Sequence, residues 1–175
     1  MAETPNPLRP VLRVAVDGGA LTPAELRVIR EHVATVGYEP GATKRVSSDM
    51  VRKLWSGGVV KPRDRLPAGE RDYIKHARAG EWPESTTIAD FLRTIRESIL
   101  LDDGGIFIDQ SDRNSLELTF ISFLPHCRGL LGSGWVLVGF DVDYGWWTTA
   151  FQPVDGPRYV TDRTRSGVGR WLTPP

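Results

Sequence analysis

The chain predicts an α+β fold, with N-terminal helices packed on a C-terminal antiparallel β-meander. Two helix-capping signatures, Thr22-Pro23-Ala24-Glu25 and Thr87-Ile88-Ala89-Asp90, each precede apolar residues at three- and four-residue spacing. After Asp102-Asp103-Gly104-Gly105 the pattern changes to short β-branched and aromatic runs separated by turn residues. Helices first and strands afterwards is the order of an α+β domain rather than of alternating βαβ units. A length of 175 residues suits one domain. Residues 1–10, rich in proline, are expected to be a flexible N-terminus, 11–155 a single domain, and 156–175 a partly flexible tail.

Val11 to Val16 is short and β-branched and predicts an N-terminal strand ending at Asp17-Gly18-Gly19. The first capping box, with Pro23 at the first helical position, opens a helix carrying Leu26, Ile29, Val33 and Val36 and stopping at Gly37. Ser48 predicts the cap of a short helix through Trp55, ended by Gly57-Gly58. Val59 to Pro67 carries too much proline and charge for a regular element. A helix follows over Ala68–Ala79 with Gly80 as its end, and Pro83 enforces a break. The second capping box opens a helix whose stripe of Ile88, Phe91, Leu92, Ile95 and Ile99 faces the core. Strands are expected over Ile106–Asp109, Leu116–Leu124, Trp135–Val142 and Trp146–Gln152, the last two joined at Asp143-Tyr144-Gly145. The basic tail, with Arg158, Arg163, Arg165 and Arg170, is expected to be partly mobile, with Trp171 able to dock back.

Apolar residues make up 40% of the chain, which excludes wholesale disorder. Lys and Arg number 22, as do Asp and Glu, so the formal net charge is zero. The balance is not local: between Lys44 and Arg78 stand ten lysines and arginines against four acids, a patch able to attract a polyanion or simply to be solvated. Cys127 is the single cysteine, which rules out an intrachain disulfide. No apolar run approaches the ~20 residues of a membrane helix and the N-terminus has no signal-peptide pattern, so no membrane association and a cytoplasmic location are expected.

Three histidines bear on chemistry. His32 reads as a boundary residue of the first helix. His126-Cys127 has the types of a base and nucleophile or of two metal ligands, but no second pair stands at ligand spacing. No metal and no cofactor are expected. His76 lies in Arg71-Asp72-Tyr73-Ile74-Lys75-His76-Ala77-Arg78; on a helix Asp72 falls one turn away and would orient the imidazole, while Arg71, Lys75 and Arg78 project beside it. A histidine among permanent cations suits RNA cleavage by internal attack, with one group moving the 2′-hydroxyl proton and cations stabilising the phosphate. A charged exposed helix with an incidental histidine would read the same way. In the last strand, alternation places Trp146, Thr148, Ala150 and Gln152 on one face and Trp147, Thr149 and Phe151 on the other, the latter towards the helices. Trp146 then offers a stacking surface, with Gln152 and the turn residue Tyr144 as further binding residues.

Taken together, YIKHARAGEWP, the helix TTIADFLRTIRESI and the closing hairpin WVLVGFDVDYGWWTTAFQP resemble the barnase–EndoU–colicin–RelE ribonuclease-toxin superfamily over residues 66–155. The resemblance implies a helical half presenting His, Lys or Arg over an antiparallel sheet, and a metal-independent endoribonuclease of toxin type. It implies His76 as general acid–base, Lys75 or Arg71 as the phosphate cation, Thr149 as the late-strand threonine at the scissile phosphate, RNA as substrate and a cognate inhibitor as partner. Alternation and resemblance place Thr149 on opposite faces, a one-residue difference that a β-bulge would reconcile. The alternatives are a protein-interaction module without catalysis, of a mobile element or stress operon, with tryptophan and arginine as anchors, and a nucleic-acid-binding protein without catalysis, through the Lys44–Arg78 cations.

Overall fold

The structure, a computed structural model, describes residues 6–41, 43–47, 65–110, 115–162 and 169–175. The expected helix from Ser48 and the irregular stretch up to residue 64 lie outside the described residues, as do Arg163 and Arg165. The described part is α+β, helices before strands. Helices α1 (Leu8–Val16) and α2 (Pro23–Val36) come first, then the short strands β1 (Thr43–Arg45) and β2 (Arg65–Pro67). Helix α3 (Ala68–Asp72) runs directly into a π-helix over Tyr73–Glu81, and α4 (Ile88–Leu100) follows. Strands β3 (Gly105–Gln110), β4 (Leu116–Phe123), β5 (Trp135–Asp141) and β6 (Trp146–Phe151) form the meander. A short helix α5 (Pro157–Asp162) and a last strand β7 (Arg170–Thr173) complete it.

Both predicted capping boxes form. The Thr22 and Thr87 hydroxyls accept from the backbone N–H of Glu25 and Asp90, whose carboxylates accept in return from the N-cap N–H. Each satisfies donors that a helix start leaves without partners. Val11–Val16, expected as a strand, is instead part of α1. Leu8, Leu12 and Ala15 are buried at helical spacing, and the stripe becomes visible only when Leu8, set aside with the proline-rich terminus, is counted. Asn6 fixes its start, accepting from the Leu8 N–H and donating to the Val142 carbonyl at 2.8 Å. Arg65–Pro67 also departs from expectation, pairing antiparallel with Thr43–Arg45.

The five-stranded sheet has the order β6-β5-β4-β3-β7, antiparallel throughout. One face carries Ile106, Ile108, Leu118, Phe120, Val136, Val138 and Phe140 into the main core with α1, α2 and α4. Arg30 of α2 is buried and donates to the Ile99 and Gly104 carbonyls, closing the C-terminal end of α4; burial lowers its pKa. Two parts of the tail pack on the sheet. Strand β7 pairs with β3, Trp171 meets Phe107 edge-on at 5.2 Å, and Val160 of α5 packs on Phe107, Ile121 and Leu137 on the second sheet face.

Candidate functional site

Strand β6 decides where the site lies. Gly139 pairs with Thr149, but its neighbour Phe140 pairs with Trp147, so Thr148 is an extra residue in the ladder. The bulge resets the alternation. Trp147 and Ala150 both enter the main core, and Trp147 donates from its indole N–H to the Val33 carbonyl at 2.8 Å. Thr149 and Phe151 therefore turn to the second face. The alternation expected from the sequence, which sent Thr149 and Phe151 towards the helices, is corrected by this one inserted residue.

On that face the register aligns three rungs. Asp109, Glu117, Asp141 and Trp146 form the first. Phe107, Thr119, Gly139 and Thr149 form the second, and Gly105, Ile121, Leu137 and Phe151 the third. Helix α5 covers the third rung through Val160, and the first two remain as the floor of a cleft of about 830 Å³. Its walls include Glu39, Lys44, Tyr144, Thr148 and Tyr159. Gly139 opens the floor, because a Cβ there would lie 2.6 Å from the Thr148 hydroxyl. The first rung sets carboxylates opposite one another, an arrangement that disfavours pairing unless it is compensated. Asp141 is engaged in the turn, its Oδ1 accepting from the Asp143 and Tyr144 N–H groups at 2.9 Å each. Among the described residues no group of three or more His, Cys, Asp or Glu is arranged to hold a metal ion.

The outer edge of β6 is covered by the helical half. The Trp147 N–H donates to the Gly37 carbonyl, the Ala150 N–H to Asp72 Oδ2 at 3.1 Å, and the Gln152 N–H to Glu81 Oε2 at 2.9 Å. Two side-chain carboxylates thus take the place of a further strand. Asp72 is fully buried and also accepts from the Tyr38 hydroxyl and from Arg71. Burial, reinforced by the Asp72 charge, holds the Tyr38 pKa well above its ordinary value, so the phenol stays a donor.

The orientation expected for His76 is also corrected. Its Nδ1 meets Glu81 Oε1 at 2.9 Å, not Asp72. The segment is π-helical, so residue i+5 rather than i+4 comes alongside, and Gly80 at φ 107° turns the chain there. In a neutral ring, a proton on Nδ1 facing Glu81 leaves Nε2 as the acceptor. The imidazole is 12% exposed and stacks on Phe151 with centroids 5.3 Å apart. Phe151 is one same-face step, ~6.6 Å, from Thr149.

The cleft wall gathers Thr148, Thr149, Trp146 and Tyr144. His76, Lys75, Arg71, Arg78 and Gln152 are not in it. Arg71 is committed to Asp72 at 2.9 Å, Lys75 is half-buried on the π-helix, and Arg78 lies along a second groove. Gln152, expected on the open face, is buried; its amide donates to the Cys127 carbonyl and accepts from the Gly134 N–H. His126 and Cys127 diverge, the first exposed against Glu97 and the second buried. The cleft residues Thr119, Gly139 and Phe107 were not singled out from the sequence. Alternation along β4 is a signal for Thr119 only; Phe107 on β3 and Gly139 on β5 join it through the register of the sheet.

Comparison with family models, with curated proteins and with solved structures found no match. No helix among the described residues is long and apolar enough to cross a membrane.

Proposed function

We propose that the chain is a metal-independent endoribonuclease working in the cleft on the second sheet face. The observation that carries this reading is the bulge at Thr148, which turns Thr149 onto the face where the resemblance requires a phosphate-contacting hydroxyl. The His76–Glu81 pair adds to it: a carboxylate fixed by a backbone N–H holds Nδ1, as an oriented general base requires. Arg71 is occupied by Asp72, so Lys44, the lysine in the cleft wall, takes the role of phosphate cation. Phe151 separates His76 from the cleft, and productive binding then requires this ring to yield to the substrate. The purified chain is expected to cleave total RNA or tRNA in excess EDTA. His76→Ala should lower the rate by about 10²–10⁴-fold, the usual contribution of a general acid–base, and Thr149→Val by about 10–100-fold for a lost hydrogen bond to a charged group. No cleavage, or cleavage unchanged in His76→Ala, discards the reading.

A further inference from the structure

We propose that two copies of this chain pair through the loop between Arg128 and Gly132, the Leu130–Leu131 knob of each seated in the groove beside it on the other. Leu130 is 100% exposed and Leu131 73%. Single exposed leucines are ordinary, but these two stand on a rigidly held backbone. The Gly129 N–H donates to the Glu81 carbonyl at 2.8 Å and the Leu131 N–H to the Gly80 carbonyl at 2.9 Å. Arg128 Nε closes the loop onto the Gly132 carbonyl. The approach is close enough that a Cβ on Gly129 or Gly132 would collide with carbonyls of residues 80–82. A knob ordered beforehand loses little entropy on docking.

The same surface supplies the socket. A groove of about 910 Å³ runs alongside the leucines, with Ala77, Ala79 and Pro83 in its wall. Arg78 and Arg128 flank it together with Glu84. A two-fold contact brings a patch against its own copy, so a surface holding both knob and hollow, and both signs of charge, is self-complementary. A formal net charge of zero removes long-range repulsion between copies. A contact confined to one loop and the groove beside it falls among weak, concentration-dependent pairings.

Sedimentation equilibrium from about 1 µM to about 1 mM, the range for such affinities, tests this. The expected result is a mass rising from monomer towards dimer. Leu130→Asp, at a fully exposed site, should remain monomeric throughout with an unchanged far-ultraviolet circular dichroism spectrum. Glu84→Arg alone should weaken pairing at least tenfold. A monomer at the highest concentration, or pairing by Leu130→Asp or by Glu84→Arg equal to the wild type, would each overturn the proposal.

Discussion

Burial pushes the Cys127 thiol up to about 11, and the nearby Glu97 carboxylate adds to the shift. The protonated form is neutral, so the folded chain holds this proton more tightly than the unfolded chain, whose thiol titrates near ~8.5. Unfolding therefore releases a proton in the window between those values, and the contribution of Cys127 to stability is present below it and lost as pH rises through it. Two outcomes follow: iodoacetamide at pH 8 should label the native protein far more slowly than the urea-unfolded chain, and the urea midpoint should fall between pH 9 and 11 less steeply in Cys127→Ser. Labelling at equal rates would contradict this burial. Adjacency with His126 suggested chemistry in the sequence, whereas the short 3₁₀ turn Pro125–Cys127 sends the two side chains to different surroundings. Gln152 was misjudged for a related reason, because a polar residue at a strand end reads as solvent-facing until the loop it ties down is seen.

The element that organises the molecule is β6, an edge strand closed by Asp72 and Glu81. Asp72→Ala strips the Ala150 N–H, the Tyr38 hydroxyl and Arg71 of one shared acceptor. It should lower unfolding free energy by about 3 kcal/mol, the lower end for a broken buried pair because Arg71 is partly exposed. Urea denaturation measures this; a loss below about 1 kcal/mol would mean that water replaces the carboxylate. At this scale the sequence was informative wherever local chemistry is self-sufficient. Thr22 and Thr87 announce their helices because the reciprocal hydrogen bonds need only four consecutive residues. The π-helix at Tyr73–Glu81 leaves no such mark, since its spacing differs from an α-helix by one residue and is chosen by the packing of Asp72 and Glu81 on β6. The bulge at Thr148 is silent for the same reason: WWTT alternates acceptably in either register, and only burial of both Trp147 and Ala150 selects one.

Across the whole molecule, helices on one sheet face leave the other for the cleft, and α5 with β7 finish that second face. The order of helices and meander was legible because it rests on periodicity. The place of the tail was not, because arginines and turn residues outweigh the four-residue run RWLT until its partner Phe107 is known. Ending the chain after Asp162 should cost at least about 3 kcal/mol, from the lost aromatic burial of Trp171 and the exposed flank of Phe107. Thermal unfolding with light scattering reads this directly, and an unchanged, aggregation-free transition would show β7 to be dispensable. During synthesis the same connectivity imposes a timetable. Strands β3 to β6 leave the ribosome in the order in which they pair, yet the flank of β3 waits for β7, which follows all four in the chain. Until then the nascent sheet carries an open hydrogen-bonding margin beside Phe107, the interval in which chaperone capture competes with misassembly.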